Sequence, residues 1–423
     1  MGKKAVAAGS PARALSLLPR LPLLAPYRRL LADRELKRII LTSLIARIPV
    51  GMNSLAITLG LQSLTGSFAA AGLTASAYLL AVGLQAPVIG RLIDQRGPAS
   101  VMLPLATAHA AALTLLLVLA MQSTPTLVLV VIAAVAGFTF PPVSMTMRAM
   151  YRKSQLADAQ KQTAFAIEAI LMEMCFIVGP LVVSAAASLG RPELAILASA
   201  VFSGAGVAAF ARSGALARWG RVEHEAERHW AGPLTIRAVR RALVLSLSFG
   251  LAIGLLEIAA TGYAQSIGRP ALIGALFAAM SITSALSGFA YGARPWPGAL
   301  ARHCLLAMLW LAGGALLLAV AETPWVMVVG CFIAGCGFGP GMTAMNLQLG
   351  KLTPSQYSTE AFTWSMTLFM GGLGAGFLVG GLLIEHGGWS HAMAASALVF
   401  ALAAAVCLNL PTIAMHDADR AST

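Results

Sequence analysis

The stretch that decides the fold is Gly137-Phe-Thr-Phe-Pro-Pro-Val-Ser-Met-Thr-Met147, because Gly335-Cys-Gly-Phe-Gly-Pro-Gly-Met-Thr-Ala-Met345 repeats its pattern 198 residues later. Gly, Phe, Pro and Met recur at the same four places in both stretches. Other matches keep this shift within one residue: Gly90 and Arg96 with Gly288 and Arg294, Thr124-Pro125 with Thr323-Pro324, and Ala164-Phe165 and Gly179 with Ala361-Phe362 and Gly376. A constant shift across separate regions indicates a chain built from two repeated halves.

The sequence around these stretches is too apolar for a water-soluble protein. Of its 423 residues 58% are hydrophobic and only 11% charged, and the mean hydropathy is +0.80. Soluble domains carry about 25% charged residues, whereas a helix that spans a bilayer needs about 20 apolar ones. The sequence therefore predicts an all-α membrane protein of about twelve spans. They are 38–62, 68–90, 99–121, 126–148, 163–188, 194–211, 240–264, 271–291, 300–320, 325–347, 361–384 and 390–410.

Basic residues orient the chain in the membrane. With the N-terminus in the cytoplasm, all but three of the 29 Lys and Arg fall on the cytoplasmic side, as the positive-inside rule expects. The exceptions are Arg47 inside the first span, and Arg191 and Arg269 on the other side. We expect a multi-pass protein of the bacterial cytoplasmic (inner) membrane with both termini cytoplasmic. The net charge of +13 arises from these clusters between apolar runs and does not indicate nucleic-acid binding.

The predicted organisation follows from the repeat and the spans. Six spans per half is an even number, so the halves share one orientation and are related by a pseudo-two-fold axis along the membrane normal, an architecture of transporters. The predicted parts are a cytoplasmic tail 1–35, a six-helix half 36–211, a cytoplasmic loop 212–238, a second half 239–410 and a cytoplasmic tail 411–423.

Ligand-binding patterns for metals and nucleotides are not evident in the sequence. The five cysteines lie in apolar runs without metal-ligand spacing. His224 and His229 in the central loop could bind a metal, but a solvated interfacial helix is the favoured interpretation. The Gly-rich run Gly371-Gly-Leu-Gly-Ala-Gly376 has no Lys-Ser/Thr partner and indicates helix packing. We expect no cofactor and no metal, with a proton gradient as the driving force.

One motif carries a family resemblance. The second span ends in Gly90-Arg-Leu-Ile-Asp94-Gln-Arg96-Gly97, and its counterpart in the second half is Gly288-Phe-Ala-Tyr-Gly292-Ala-Arg294. With the repeat and the topology, this resembles the major facilitator superfamily over about residues 36–410. The resemblance implies that Gly90 permits close helix approach and that Asp94, Arg96, Gly97, Gly288 and Arg294 take part in gating. The alternative is that Asp94 and Arg96 only anchor a loop.

The motif also departs from the family pattern. Gln95, Pro98 and Ala99 stand where the family usually has basic residues, which weakens the expected charge contact. Gly179-Pro180 in the fifth span resembles the signature of exporters in the family, but Val183 and Ser184 replace the glycines that usually follow. The matching helix of the second half has Gly376 and Gly380-Gly381. The resemblance therefore favours an exporter only slightly over an importer.

Charged residues within spans are the strongest candidates for transport, because such residues are costly in a bilayer. Counted from Lys37, Arg47 lies roughly 15 Å deep; counted from Lys161, Glu173 lies roughly 18 Å deep and Glu168 roughly 10 Å. We predict that Arg47 pairs with Glu173, and that Glu168 pairs with Arg148 or Arg152 near the cytoplasmic end. Arg47 could serve function, structure or both.

Further candidates follow from the resemblance, which implies that spans 1, 4, 7 and 10 line the central cavity. Glu257 in the seventh span is either a proton carrier or an ionised group in an outer vestibule. The weaker hydrogen-bonding candidates are Asn53, Gln265, Asn346 and Gln348. Four methionines of spans 4 and 10 suit an amphiphilic substrate, although plain packing is the commoner reason: Met145, Met147, Met342 and Met345.

These features predict a secondary active transporter that works as a monomer in the bilayer on a small-molecule substrate. Proton-coupled efflux of an amphiphilic compound or metabolite is the first hypothesis. The second is import or exchange of an organic anion held by Arg47. A membrane enzyme or lipid-handling protein is the third, and it would need a catalytic cluster at one membrane face that the sequence does not display.

Overall fold

The computed structural model describes residues 30, 32–153, 158–213, 232–292, 296–354 and 357–412. Within this part the chain is all-helical, and twelve stretches are long and apolar enough to cross a membrane. The helices are α1 Arg34–Thr65, α2 Phe68–Arg96, α3 Pro98–Met121, α4 Thr126–Phe138, α5 Val143–Lys153, α6 Asp158–Ser188, α7 Leu194–Ala211, α8 Arg237–Ser266, α9 Ala271–Gly292, α10 Leu300–Ala319, α11 Pro324–Leu352, α12 Ser358–Gly387 and α13 Trp389–Cys407. A short 3₁₀ helix, Gly232–Thr235, precedes α8. The prediction of an all-α protein of about twelve spans is confirmed.

Local signals set the helix ends. The Asp33 carboxylate caps α1 by accepting from the backbone N–H groups of Glu35 and Leu36 at 2.8 and 3.2 Å. Gly66 ends α1 in the left-handed conformation at φ 73°, which glycine adopts without strain. Ser67 then caps α2, so the chain turns back into the membrane within two residues.

The fourth span is broken, which its apolar pattern did not predict. It consists of α4 and α5 with a break at residues 139–142, because Pro141 and Pro142 both lack the N–H that would continue the helix. The carbonyl of Phe140, freed by the break, accepts from Gln85 Nε2 at 2.9 Å. The tenth span carries Pro340 at the matching place but stays one helix, α11, because only one N–H is lost there.

The packing of helices repeats between the halves. In the first half α1 packs on α6 and α7, and α3 on α7; in the second half α8 packs on α12 and α13, and α10 on α13. The pair α2–α4 likewise corresponds to α9–α11. Corresponding spans thus meet corresponding partners, as a parallel repeat requires.

Glycines allow the closest of these contacts. A Cβ at Gly51 of α1 would strike the backbone of Cys175, and one at Gly179 of α6 would strike the backbone of Gly51. In the second half, a Cβ at Gly376 of α12 would strike the backbone of Leu251 and Gly254 of α8. Gly179 and Gly376 therefore do the helix packing expected of them.

The two halves meet along two seams, α2 with α12 and α6 with α9. We call the side where α1 begins and α13 ends the terminal face, and the other side the opposite face. The first seam runs from the contact of Gly381 with Phe68 at the opposite face to the hydrogen bond from Thr367 Oγ1 to the Gly83 carbonyl at 3.0 Å. In the second seam, the Ser184 hydroxyl lies 2.9 Å from the Ala271 carbonyl.

Toward the terminal face the helix surfaces of both seams are uncovered. An added Cβ at Gly90, two turns beyond Gly83 on the same side of α2, would meet nothing within 4 Å. Ile170 of α6 is 53% exposed and Phe289 of α9 is 78% exposed. From these uncovered surfaces we infer a cleft between the halves that opens to the terminal face. In this conformation Gly90 does not make the close helix contact expected of it.

Candidate functional site

Arg47 forms the central charged contact of the first half, but with a different partner from the predicted one. Its Nη2 donates a hydrogen bond to Glu168 Oε2 at 3.0 Å, and its Nη1 lies 2.8 Å from Glu168 Oε1 in an ion pair without hydrogen-bond geometry. Both side chains are almost fully buried, at 0% and 2% exposure. The predicted pair of Arg47 with Glu173 is wrong, because Glu168 holds Arg47. Glu168 forms no ion pair with Arg148, and the side chain of Arg152, its other predicted partner, lies outside the part of the chain that the structure describes.

The side of α6 that faces α1 explains why Arg47 pairs with Glu168 and not with Glu173. Cys175 faces α1 at Gly51, and Glu168 lies seven residues before it, two turns along the same side of the helix. Glu173 lies two residues from Cys175, about 160° away around the helix. Because Cβ atoms tilt toward the helix N-terminus, the long Arg47 side chain also reaches back toward the level of Glu168.

The pair lies in an apolar cluster of the first half near the terminal face. Leu36, Met147 and Phe210 belong to that cluster, together with Tyr151, which interacts electrostatically with both Arg47 and Glu168. Taking charges out of water costs several kcal/mol per ion, and the attraction within the pair offsets part of that cost. Among the described residues, Arg47 Nε, Arg47 Nη1 and Glu168 Oε1 have no hydrogen-bond partner. In this conformation Arg47 is therefore neutralised by a protein carboxylate.

Glu173 instead faces the second half. It lies eleven residues, about three turns, before Ser184 on the same side of α6, and Ser184 contacts the start of α9. The Glu173 side chain is half-buried, and among the described residues no hydrogen bond or ion pair reaches its carboxylate. It therefore lies where the α6–α9 seam opens into the cleft.

Glu257 is a second carboxylate within a span, and it lies in the second half. It lies two turns beyond Gly250, whose Cβ would strike the backbone of Phe369, so it is on the side of α8 that faces α12. The side chain is half-buried, and within the described ranges its carboxylate has no hydrogen-bonding or ionic partner. Its place two thirds along α8 agrees with the predicted position near the opposite face.

Asn53 belongs to a buried polar cluster that sequence reasoning missed. Its amide nitrogen donates to the Tyr78 hydroxyl, and its oxygen accepts from the Ser199 hydroxyl. His109 Nδ1 donates to the Ala136 carbonyl at 2.7 Å, and its Nε2 lies 3.5 Å from the Asn53 nitrogen. This cluster joins α1, α2, α3, α4 and α7. His109, a titratable residue within the third predicted span, could have indicated this cluster from the sequence.

The remaining candidates lie apart from these groups. Asn346 is exposed, Gln265 is half-buried, and buried Gln348 donates to the Pro411 carbonyl at 3.0 Å, which ties α11 to the end of the chain. Met147 and Met345 are core residues, whereas Met145 is 47% exposed.

The motif residues are described in part. Arg96 is exposed at the end of α2, Gly97 begins the turn into α3, and a Cβ at Gly288 would lie 3.3 Å from Gly339. Asp94 lies in the last turn of α2. Arg294, His224 and His229 fall outside the described residues. Across the residues that are described, His, Cys, Asp and Glu nowhere gather in threes that could hold a metal ion.

Comparison with solved structures places this architecture among transporters. The nucleoside transporter NupG matches with a TM-score of 0.70 at 16% identity, over 89% of this chain and 99% of that one. The human organic anion transporter MFSD10 (TETRAN) matches with 0.61 at 17%, over 90% and 99%. A POT family transporter in complex with a thioalcohol-conjugated peptide matches with 0.68 at 11%, over 89% and 96%. At these identities the likeness establishes the fold alone.

Sequence comparison gives the family. No curated protein matches the chain. The sequence model of the Major Facilitator Superfamily matches residues 39–369, more than half of the chain. That match agrees with the twelve spans and the repeated packing. The chain belongs to the major facilitator superfamily of membrane transporters.

Proposed function

We propose that this transporter exports a small amphiphilic compound or metabolite in exchange for protons, by alternating access. It would act as a monomer in the bacterial inner membrane with the terminal face in the cytoplasm. The observation that carries the proposal is Glu173, a carboxylate without a described partner where the α6–α9 seam opens into the cleft.

A carboxylate at this place suits proton coupling. When the cleft is open to the terminal face, Glu173 can exchange a proton with water on that side. When the seam closes there and opens at the opposite face, the same carboxyl would meet the other solution. One proton then crosses the membrane per cycle while substrate moves the other way. Glu257, in the second half, is the second carboxyl that could carry the proton.

The environment of the cleft supports an amphiphilic substrate. Ile170, on the same helix as Glu173, and Phe289 of α9 are exposed apolar side chains, and an apolar pocket with few polar groups accepts compounds that are themselves mostly apolar. A carboxylate in such a pocket favours a neutral or cationic compound over an anion.

Import or exchange of an organic anion is the second candidate, because Arg47 is a cation within a span. Its ion pair with Glu168 argues against this role, since an anion would have to displace a buried carboxylate that already neutralises Arg47. A membrane enzyme or lipid-handling protein is not supported, since the family to which the chain belongs consists of transporters.

The test has two stages. Purified protein in detergent is first heated with panels of organic cations, neutral amphiphiles, nucleosides and organic anions, because a ligand of the folded state raises its apparent stability. The compound with the largest effect is then offered to proteoliposomes with an acidic lumen. Proton antiport predicts accumulation in the acidic lumen above protein-free liposomes. Accumulation only in an alkaline lumen, or stabilisation by anions alone, would overturn the proposal in favour of import.

A further inference from the structure

One carboxylate joins the two halves at the opposite face. Glu385 lies in the last turn of α12, in the second half, and its Oε2 accepts from the Ser67 hydroxyl and from the Ala69 backbone N–H, both at 2.8 Å. Ser67 is the N-cap of α2, in the first half, and its oxygen also accepts from the Ala70 N–H at 3.1 Å. The Glu385 carboxylate of the second half thus accepts two hydrogen bonds from the first half.

The N-terminus of α2 favours a negative charge at this place. The first N–H groups of a helix have no partner within the helix, and the aligned peptide dipoles leave partial positive charge there. Hydrogen bonds to a carboxylate are stronger than those between neutral groups. Glu385 is exposed, so solvent weakens the contact without removing it.

The contact requires that α2 and α12 meet at the opposite face. Just below it, a Cβ at Gly381 would strike the carbonyl of Phe68, and one at Gly72 that of Phe377. If the halves part at the opposite face, α12 withdraws from α2 and both hydrogen bonds of Glu385 are lost together. Their free energy therefore stabilises the conformation that is open to the terminal face.

The other seam has a different residue at the related position. Ser188 of α6 precedes Glu385 by 197 residues, the shift that also relates Gly179 to Gly376. Its hydroxyl donates to the Ser184 carbonyl of its own helix at 2.8 Å. At the α6–α9 seam the repeat position, Ser188, therefore makes a hydrogen bond within its own helix. At the α2–α12 seam the matching position, Glu385, accepts hydrogen bonds from the other half.

We propose that Glu385 is a positioning residue that latches the opposite face shut and thereby sets the balance between the two conformations of the transport cycle. This inference rests on alternating access, as proposed above. Loss of the latch would favour the conformation open to the opposite face without altering the groups that line the cleft.

The experiment measures both faces in full-length protein in lipid nanodiscs. Spin labels at Ser63 and Arg269, both exposed and in different halves, report separation at the opposite face. Labels at Gln95 and Lys351, also exposed, report it at the terminal face. The partly exposed Cys336 is replaced by serine to prevent background labelling. Distance distributions are compared between the unsubstituted chain, Glu385→Ala and Glu385→Gln, with Glu322→Ala and Ser188→Ala as controls.

We expect Glu385→Ala to shift the population ratio toward the form open to the opposite face by about three- to tenfold. Glu385→Gln should give a smaller shift, because its amide oxygen still accepts both hydrogen bonds but carries no charge. The controls should match the unsubstituted chain. Because Gln is nearly isosteric with Glu, this variant keeps the test valid if the alanine variant folds poorly.

The outcomes distinguish failure of the Glu385 proposal from failure of alternating access. If the two distances change reciprocally with pH in the unsubstituted chain, but Glu385→Ala gives the same ratio as Glu322→Ala, the latch is refuted and alternating access stands. If both distances lengthen together, alternating access itself is refuted.

Discussion

The buried ion pair of α1 and α6 gives a prediction whose size follows from the structure. Arg47 is the largest fully buried side chain described, and both of its Nη atoms are engaged by Glu168 at 2.8 and 3.0 Å. Glu168→Ala leaves a buried guanidinium without its counter-ion, which typically costs about 3–5 kcal/mol. Arg47→Ala leaves the carboxylate unpaired in the same apolar cluster and should cost a similar amount.

The double variant Arg47→Met/Glu168→Leu should be much less damaging than either single alanine variant. It leaves no buried charge, and such replacements by apolar residues of similar volume often lie within about 1 kcal/mol of the parent. Glu173→Leu is the matched control: it removes a half-buried carboxylate from the same helix that has no described ionic partner, and we expect a change below about 1 kcal/mol.

The assay is unfolding of the purified protein from mixed micelles with increasing sodium dodecyl sulfate, followed by circular dichroism. The free energies of unfolding of Arg47→Met, Glu168→Leu and their double variant form a mutant cycle, and Glu173→Leu is measured beside them as the control. If the effects of the two single substitutions simply add in the double variant, or if Glu173→Leu costs as much as Glu168→Ala, the assignment of the pair is refuted.

Three further predictions concern topology, the motif and the packing of helices. Reporters fused after residue 218 or at the C-terminus should report cytoplasm and those near Arg191, Arg269 and Gly387 the outside; a periplasmic signal from the central loop would overturn the orientation. Asp94→Asn should slow transport more than it weakens substrate binding, because we expect Asp94 to act on conformational exchange; lost binding with unchanged exchange, measured by ligand titration and spin-label distances, would contradict this. Gly51→Ala should lower stability by about 1–3 kcal/mol because its Cβ would strike the Cys175 backbone, whereas Gly90→Ala should not; equal melting temperatures would refute the packing argument.

Much of the fold was predictable because its signals are local or periodic. An apolar run of about 20 residues identifies a span regardless of its neighbours. The repeat is identified by a nearly constant shift between matching residues of the two halves, such as Gly137 and Gly335. The break in the fourth span was less visible. Pro141 and Pro142 show in the sequence that two backbone N–H groups are missing. Whether the helix bends or breaks there depends on side chains that hydrogen-bond the freed carbonyls, such as Gln85, and only the packed structure shows these.

The sequence identified the charged residues within the spans but did not predict which of them form an ion pair. Counting residues from the membrane surface gives the depth of Arg47, Glu168 and Glu173, yet pairing depends on which side of α6 faces α1. The close contact of Gly51 with Cys175 fixes that rotation, and it follows from the packing of two helices rather than from either sequence alone. Asn53 was likewise a lone polar candidate until packing brought it to Tyr78, Ser199 and His109.

The same rotation changes how proton coupling has to work. The sequence hypothesis linked proton uptake by Glu173 to rupture of its ion pair with Arg47. Since Arg47 is held by Glu168, Glu173 would instead take up its proton directly from the cleft, and the Arg47–Glu168 pair would keep the first half intact through the cycle.

The most direct test of the account compares Glu173→Gln with the unsubstituted chain in proteoliposomes, using the compound selected by thermal stabilisation. Two rates are measured: accumulation driven by an acidic lumen, and exchange of labelled for unlabelled compound without a pH gradient. The account predicts that Glu173→Gln abolishes the driven accumulation but retains exchange, because the variant still alternates and binds but cannot carry a proton. Full driven accumulation with unchanged pH dependence would contradict it and would make Glu257 the next carboxyl to test.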